Sequence, residues 1–250
     1  VTDTARPGRY LDGLVLTVLL VGGWQLVFEW VGDVAITPPA RTVAFAWNLM
    51  ASSSFWGHAG ATLAAFAASL AIAAVAGIAF GLILGFHRFS GEVAEPVLAA
   101  LYTIPKVTLY PLILLIFGLG LSAKVAFGVI HGVIPIVLFT MAAVKTMNPV
   151  YRKTARVLRL SPMQTATSIL FPAVAPEIFS GLRVGFSLTL LGVLIGEMFA
   201  SQKGLGFLII NGINSHNVRM TTAVILIVVI VAVIANTALL ALDRRIHRRA

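Results

Sequence analysis

Six long apolar stretches set the pattern of the chain, each broken from the next by a short polar or basic segment. They run from Leu11 to Val31, Gly60 to Phe86, Glu95 to Leu119, Ala123 to Val144, Pro176 to Ala200 and Thr221 to Leu242. A helix needs about 20 apolar residues to cross a hydrocarbon core of about 30 Å, and each stretch meets that length. Composition agrees: 59% of the 250 residues are hydrophobic and 11% are charged, against roughly 25% charged in an ordinary soluble domain. The expected class is an all-α, polytopic membrane protein with six transmembrane helices. No small-residue cleavage site follows the first stretch, which reads as a retained helix rather than a removed signal peptide.

An even number of spans puts both termini on one side, and the basic residues decide which. With both ends inside, cytoplasmic segments hold Arg6, Arg9, Arg88, Lys145, Arg152, Lys153, Arg156, Arg159, Arg244, Arg245, Arg248 and Arg249, which is 12 of the 18 lysines and arginines. Outer loops hold Arg41, Lys124, Lys203 and Arg219, while Lys106 and Arg183 lie in or beside helices. Such an excess marks the cytoplasmic face. The net charge of +9 is thereby absorbed by topology and is no nucleic-acid footprint. The expected organisation is a cytoplasmic N-terminus over 1–10, a spanning domain over 11–242 that includes a cytoplasmic loop over 145–175, and a basic cytoplasmic tail over 243–250. Absence of cysteine removes disulfides and thiolate metal sites.

Between the first two spans, Thr37-Pro38-Pro39 opens a predicted short helix through Met50, with Trp47 and Trp56 suited to the membrane interface. Glycines at four-residue spacing (Gly77, Gly81 and Gly85; Gly128 and Gly132; Gly181 and Gly185; Gly192 and Gly196) predict faces where helix backbones approach closely. The third span is interrupted at Tyr102-Thr103-Ile104-Pro105-Lys106 and again at Tyr110-Pro111. Each proline removes a backbone donor, and broken backbone at membrane depth is tolerated only against protein or a wet cavity. Pro105, Lys106 and Tyr110 are therefore candidates for lining a pathway, with Lys106 either facing it or reaching to the cytoplasmic surface.

The loop from Lys145 to Ala175 is too polar to span but is patterned. Asn148-Pro149 reads as a helix start, with the asparagine capping and proline at the first helical position. Tyr151, Ala155 and Leu158 then share a face. Ser161-Pro162-Met163-Gln164 reads as a capping box opening a second helix. Met163, Ala166, Ile169 and Leu170 form its stripe, and Phe171-Pro172 is expected to end it. Two short amphipathic helices on the cytoplasmic side suit either a docking element or a loop held against anionic lipid.

The run from Lys153 to Leu182, including Ile169-Leu170-Phe171-Pro172-Ala173 and Pro176-Glu177-Ile178-Phe179-Ser180-Gly181-Leu182-Arg183, resembles the EAA loop region of binding-protein-dependent ABC importer permeases. Thr37 to Val43, Gly77 to Phe86, Ile104 to Pro111 with Phe117-Gly118, Gly196-Glu197-Met198 and Gly204-Leu205-Gly206 resemble its nitrate/sulfonate/taurine-type branch. The resemblance covers residues 11 to 245 with its motifs in order. It implies the type I ABC importer permease (MetI-like) fold and a second permease subunit, the same chain or a different one. It also implies two cytoplasmic ATPase subunits that bind ATP and Mg, a periplasmic or lipoprotein solute-binding protein, and a bacterial inner-membrane location. Lys153 to Phe171 would couple to the ATPase, with Ser161 to Leu170 inserting most deeply.

Departures from the family pattern fall within that element. The name-giving Glu-Ala-Ala stands here as Lys153-Thr154-Ala155, and the turn glycine as Arg159, where a left-handed conformation costs a non-glycine residue roughly 1–2 kcal/mol. Both changes add positive charge, which fits an ATPase with a compensating acidic rim or one half of a heterodimeric pair.

Within the membrane, Glu197 near the outer end of the fifth span is the sharpest candidate, as a pathway group or as a helix-end structural contact. His131 reads as a packed, hydrogen-bonded histidine. Asn211, Asn214 and His216 fall in the last outer loop, where a binding protein could reach them. No catalytic constellation, metal-ligand set or phosphate-binding glycine loop is present, so the chain is expected to be no enzyme and to bind no cofactor itself. The rival reading is an ion-coupled secondary transporter acting without an ATPase, but the second broken half that its inverted repeat would bring is missing. The branch handles small anions and vitamin precursors, and the substrate is not written in this chain.

Overall fold

The computed structural model describes residues 8–247, and among them every regular element is helical. In chain order these are α1 (Gly8–Val31), α2 (Pro39–Met50), α3 (Ser53–Phe86), α4 (Arg88–Thr103), a 3₁₀ turn (Lys106–Leu109), α5 (Tyr110–Phe117) and α6 (Leu121–Thr146). There follow α7 (Pro149–Val157), α8 (Pro162–Thr165), a π turn (Ala166–Leu170), α9 (Phe171–Ala200), α10 (Leu205–Asn214) and α11 (Val218–His247). Five helices are long and apolar enough to cross a membrane, and α4 with the segment through α5 forms a bent apolar pair that brings the number to six if it is counted as one span. Arg6, Arg248, Arg249 and the side chain of Arg9 lie outside the described residues.

The described residues form two compact units. One comprises the chain through Trp56 together with Leu208–Val229; the other comprises Gly57–Phe207 with the chain from Ile230 onward. In the first, the Trp24 indole donates to Thr37 O at 3.0 Å and the Trp56 indole to Met50 O at 2.8 Å. Helix α2 spans Pro39–Met50 as expected, with Pro38 extended before it and a proline in its first turn. A helix, α10, occupies half of what the sequence presents as the last outer loop, so Asn211 and Asn214 are helical rather than looped.

The second unit is built around α6, against which α9 packs along most of its length. The spaced glycines lie at its seams. A Cβ on Gly81 would stand 2.5 Å from Thr140 Cβ, and one on Gly185 would stand 2.6 Å from the Ile136 side chain. In lipid there is no hydrophobic drive between helices, so this close backbone approach is what van der Waals packing has to work with. Towards the loop over 145–175, Ala143, Val144, Val174 and Ile178 form an apolar cluster flanked by Ile78, Leu82, Met147 and Leu182.

Helix boundaries depart from the hydropathy pattern. Helix α3 starts at Ser53 rather than Gly60, and α4 starts at Arg88 rather than Glu95, with only His87 between it and α3. The third span bends by 87° between α4 and the segment after it. Pro105 causes this: it supplies no N–H to continue the helix and restricts the residue before it to extended backbone. Ile104 accordingly sits at φ −60°, ψ 131°. The Lys145 ammonium, 2.7 Å from Glu95 Oε2, ties α4 to α6.

Candidate functional site

Helix α7 begins as its sequence predicts. Asn148 Oδ1 accepts the Val150 N–H at 2.9 Å, and Pro149 occupies the first turn. It ends on a left-handed residue, Arg159, at φ 48°. There the Leu160 N–H donates to Ala155 O and the Arg159 N–H to Arg156 O, both at 3.1 Å. This is the Schellman closure that glycine ordinarily makes, and here arginine makes it. Ala155 is buried, whereas Tyr151 and Leu158, predicted on the same face, are exposed.

Helix α8 opens with the expected capping box: the Ser161 N–H donates to Gln164 Oε1 at 2.9 Å, and the Gln164 N–H donates to Ser161 Oγ at 3.3 Å. Phe171-Pro172 does not end the segment. The chain passes through the π turn over Ala166–Leu170 directly into α9, so the fifth span runs from Thr167 rather than Pro176. Pro172 brings no N–H and crowds the turn before it, and a widened turn makes room for that ring without breaking the helix. Ile169 and Leu170 are half-buried, and Lys153, Thr154, Arg156, Arg159, Ser161 and Gln164 are exposed. The side chains of Arg152, Pro162, Met163 and Ala166 lie outside the described residues. An open cleft of about 490 Å³ between α7 and α8 is lined by Ala155, Arg156, Arg159, Leu160, Thr165 and Leu170.

At the other end of the unit, Glu197 in the last turn of α9 is wholly buried. Its Oε2 accepts the Thr62 hydroxyl at 2.8 Å and the Gly206 N–H at 3.0 Å, and Oε1 stands 3.6 Å from the Lys124 ammonium. Lys124 is itself buried and donates to Lys203 O at 2.8 Å. Thr62 Oγ1 accepts the Leu205 N–H at 2.8 Å, and His58 Nδ1 accepts the Gly204 N–H at 3.1 Å. One carboxylate thus joins α3, α6, α9 and the turn at 201–206. Gly204, at φ +131°, leaves no room for a side chain, because a Cβ there would overlap the Glu197 carboxylate. Lys124 is not the outer-loop residue that its charge suggests. Helix α6 starts at Leu121, so Lys124 lies inside the first turn, and a charge so buried survives only where it is paired and hydrogen-bonded. Thr62 carried no sequence signal; Gly204 and Gly206 carried one only through family resemblance.

The candidate pathway residues have separate partners. Lys106 turns back on α4, its ammonium 3.0 Å from Tyr102 O and 5.0 Å from the centre of the Tyr102 ring. The Tyr110 ring stands 5.0 Å from that of Phe199, and its hydroxyl is buried without a hydrogen-bond partner. His131 Nδ1 lies 2.8 Å from Phe127 O, the packed arrangement its setting suggested.

Comparison with known proteins follows the same lines. Residues 77–250 match the family model described as binding-protein-dependent transport system inner membrane component. The chain is 29% identical over 238 residues to a nitrate import permease protein NrtB of Leptolyngbya laminosa, covering 91% of this chain and 84% of that one. It is 31% identical over 200 residues to the riboflavin transport system permease protein RibX of Chloroflexus aurantiacus, covering 79% and 75%. A chain from the inward facing conformations of the MetNI methionine ABC transporter superposes with a TM-score of 0.60 at 18% identity. That likeness covers 74% of this chain and 92% of that one, and it is a likeness of fold.

Proposed function

The chain belongs to the family of binding-protein-dependent transport system inner membrane components, and on that premise we propose that it is the membrane-spanning permease of an ATP-driven importer in which the α7–α9 element is the coupling lever. The observation that carries this reading is the continuity of the element with a span. A box-capped helix passes without a break through the π turn into α9, and α9 packs along α6. A push on α8 from the cytoplasmic side is therefore delivered to the helices that carry the Glu197 network. Lys153, Thr154, Ala155, Arg159, Ser161, Pro162, Met163, Gln164, Ala166, Ile169 and Leu170 form the contact region in this reading.

In this account two ATPase subunits hold the ATP and Mg, and the chain itself is a transport component rather than an enzyme. Two copies of the chain face each other across the pathway, both termini are cytoplasmic, and a solute-binding protein delivers the cargo from outside. The broken third span at Pro105, Lys106 and Tyr110 borders that pathway. Glu197 organises the end of the bundle opposite the lever. The cargo is a small solute; relatives named for nitrate and for riboflavin carry such different chemistries that the binding protein is the component that selects.

The test is uptake into proteoliposomes containing the chain, its ATPase and its binding protein. ATP-dependent accumulation that stops when the ATPase is left out supports the reading. Uptake driven by a proton or sodium gradient with the chain alone contradicts it.

A further inference from the structure

We infer that the ATPase surface receiving the α7–α8 element is acidic, with a carboxylate side chain entering the cleft between these helices to meet Arg156 and Arg159. The inference rests on the lever reading above and says what the partner has to present. No aspartate or glutamate occurs between Glu95 and Glu177, a stretch that carries Lys145, Arg152, Lys153, Arg156 and Arg159. Lys145 is satisfied by Glu95. None of the ion pairs among the described residues engages Lys153, Arg156 or Arg159, and all three are exposed.

The shape of the cleft selects the occupant. Its lining mixes apolar Ala155, Leu160 and Leu170 with Arg156, Arg159 and Thr165. A glutamate or aspartate has the matching anatomy, an apolar stem under a charged end, and planar guanidinium groups hold carboxylates well. The backbone at Arg159 is held by the two closing hydrogen bonds of α7, so the arginine stands at a defined turn rather than on a loose loop. Val157 and Leu158 are exposed beside it, giving the mixed apolar and arginine-rich character of a protein interface.

The experiment uses the chain co-expressed with its ATPase and purified as a complex. Retention of the ATPase on tagged permease is measured between 50 mM and 1 M NaCl, for wild type, Arg159→Gly, and Lys153→Glu with Arg159→Glu. Screening weakens charge-steered association, so retention of the wild type should fall by about tenfold across that range. The doubly reversed variant should lose about tenfold at low salt, and lysine placed at acidic positions of the ATPase groove should restore it. Arg159→Gly suits the left-handed turn and so controls for folding; it should lose roughly threefold. Equal retention of all three proteins at every salt concentration would overturn the acidic surface while leaving the lever in place. An ATPase that never associates with the wild type would overturn both. If retention is unaffected by the variants but activity in nanodiscs follows their phosphatidylglycerol content, the basic cluster serves lipid and the inference is wrong.

Discussion

Replacing Glu197 by glutamine tests the buried network with the least change in shape. The amide still fills the site and can accept the Thr62 hydroxyl or the Gly206 N–H, so loss of the charge is the main effect. It leaves Lys124, buried and 3.6 Å away, with its hydrogen bond to Lys203 O. Breaking a buried pair from one side costs about 3–5 kcal/mol, because the surviving charge stays desolvated. For a chain of this size each kcal/mol moves a thermal midpoint by about 2–4 °C, so the purified protein in detergent should lose about 10 °C. Adding Lys124→Met removes the stranded ammonium and should recover most of that loss. A midpoint within about 2 °C of wild type for Glu197→Gln, or a double variant in which the two losses simply add, would refute the argument that the pair acts as a unit.

Further consequences are as direct. Gly204→Ala places a Cβ where the Glu197 carboxylate lies, on a backbone at φ +131°; it should lower the thermal midpoint by several degrees, whereas Gly13→Ala, with open space around it, should not. Gly81→Val forces α3 away from Thr140 and should cost about 1–3 kcal/mol by overpacking, seen as a smaller monodisperse fraction in size-exclusion chromatography. Ser161→Ala removes the acceptor for the Gln164 N–H. With a cap worth about 0.5–2 kcal/mol, it should reduce transport-stimulated ATP hydrolysis of the assembled complex while leaving the amount of chain in the membrane unchanged.

Much of the architecture is legible in the amino-acid pattern because its causes are local. Bilayer thickness sets span length, Pro105 sets the break, and glycine spacing marks the seams. The pairs Asn148-Pro149 and Ser161/Gln164 announce two helix starts whose caps form within three residues. What was not legible depends on partners distant in the chain. Lys124 reads as an outer-loop charge until Glu197 is known to stand beside it, and Thr62 reads as one more hydroxyl in an apolar run. The continuity of α8 with α9 was hidden by Phe171-Pro172, a breaker motif in a regular helix that a π turn accommodates. The bend at Pro105 was foreseeable, but its size, 87°, depends on where α4 and α5 find packing.

The central claim is that the element around Thr154 and Ser161 is pressed by an ATPase. Because the chain has no cysteine, Thr154→Cys or Ser161→Cys gives a single attachment point for a photo-crosslinker in native membranes. Capture of the cognate ATPase subunit at both positions, with a yield that changes when ATP is trapped, is the predicted result. Crosslinks to lipid alone, in membranes where that ATPase is present and active, would contradict it.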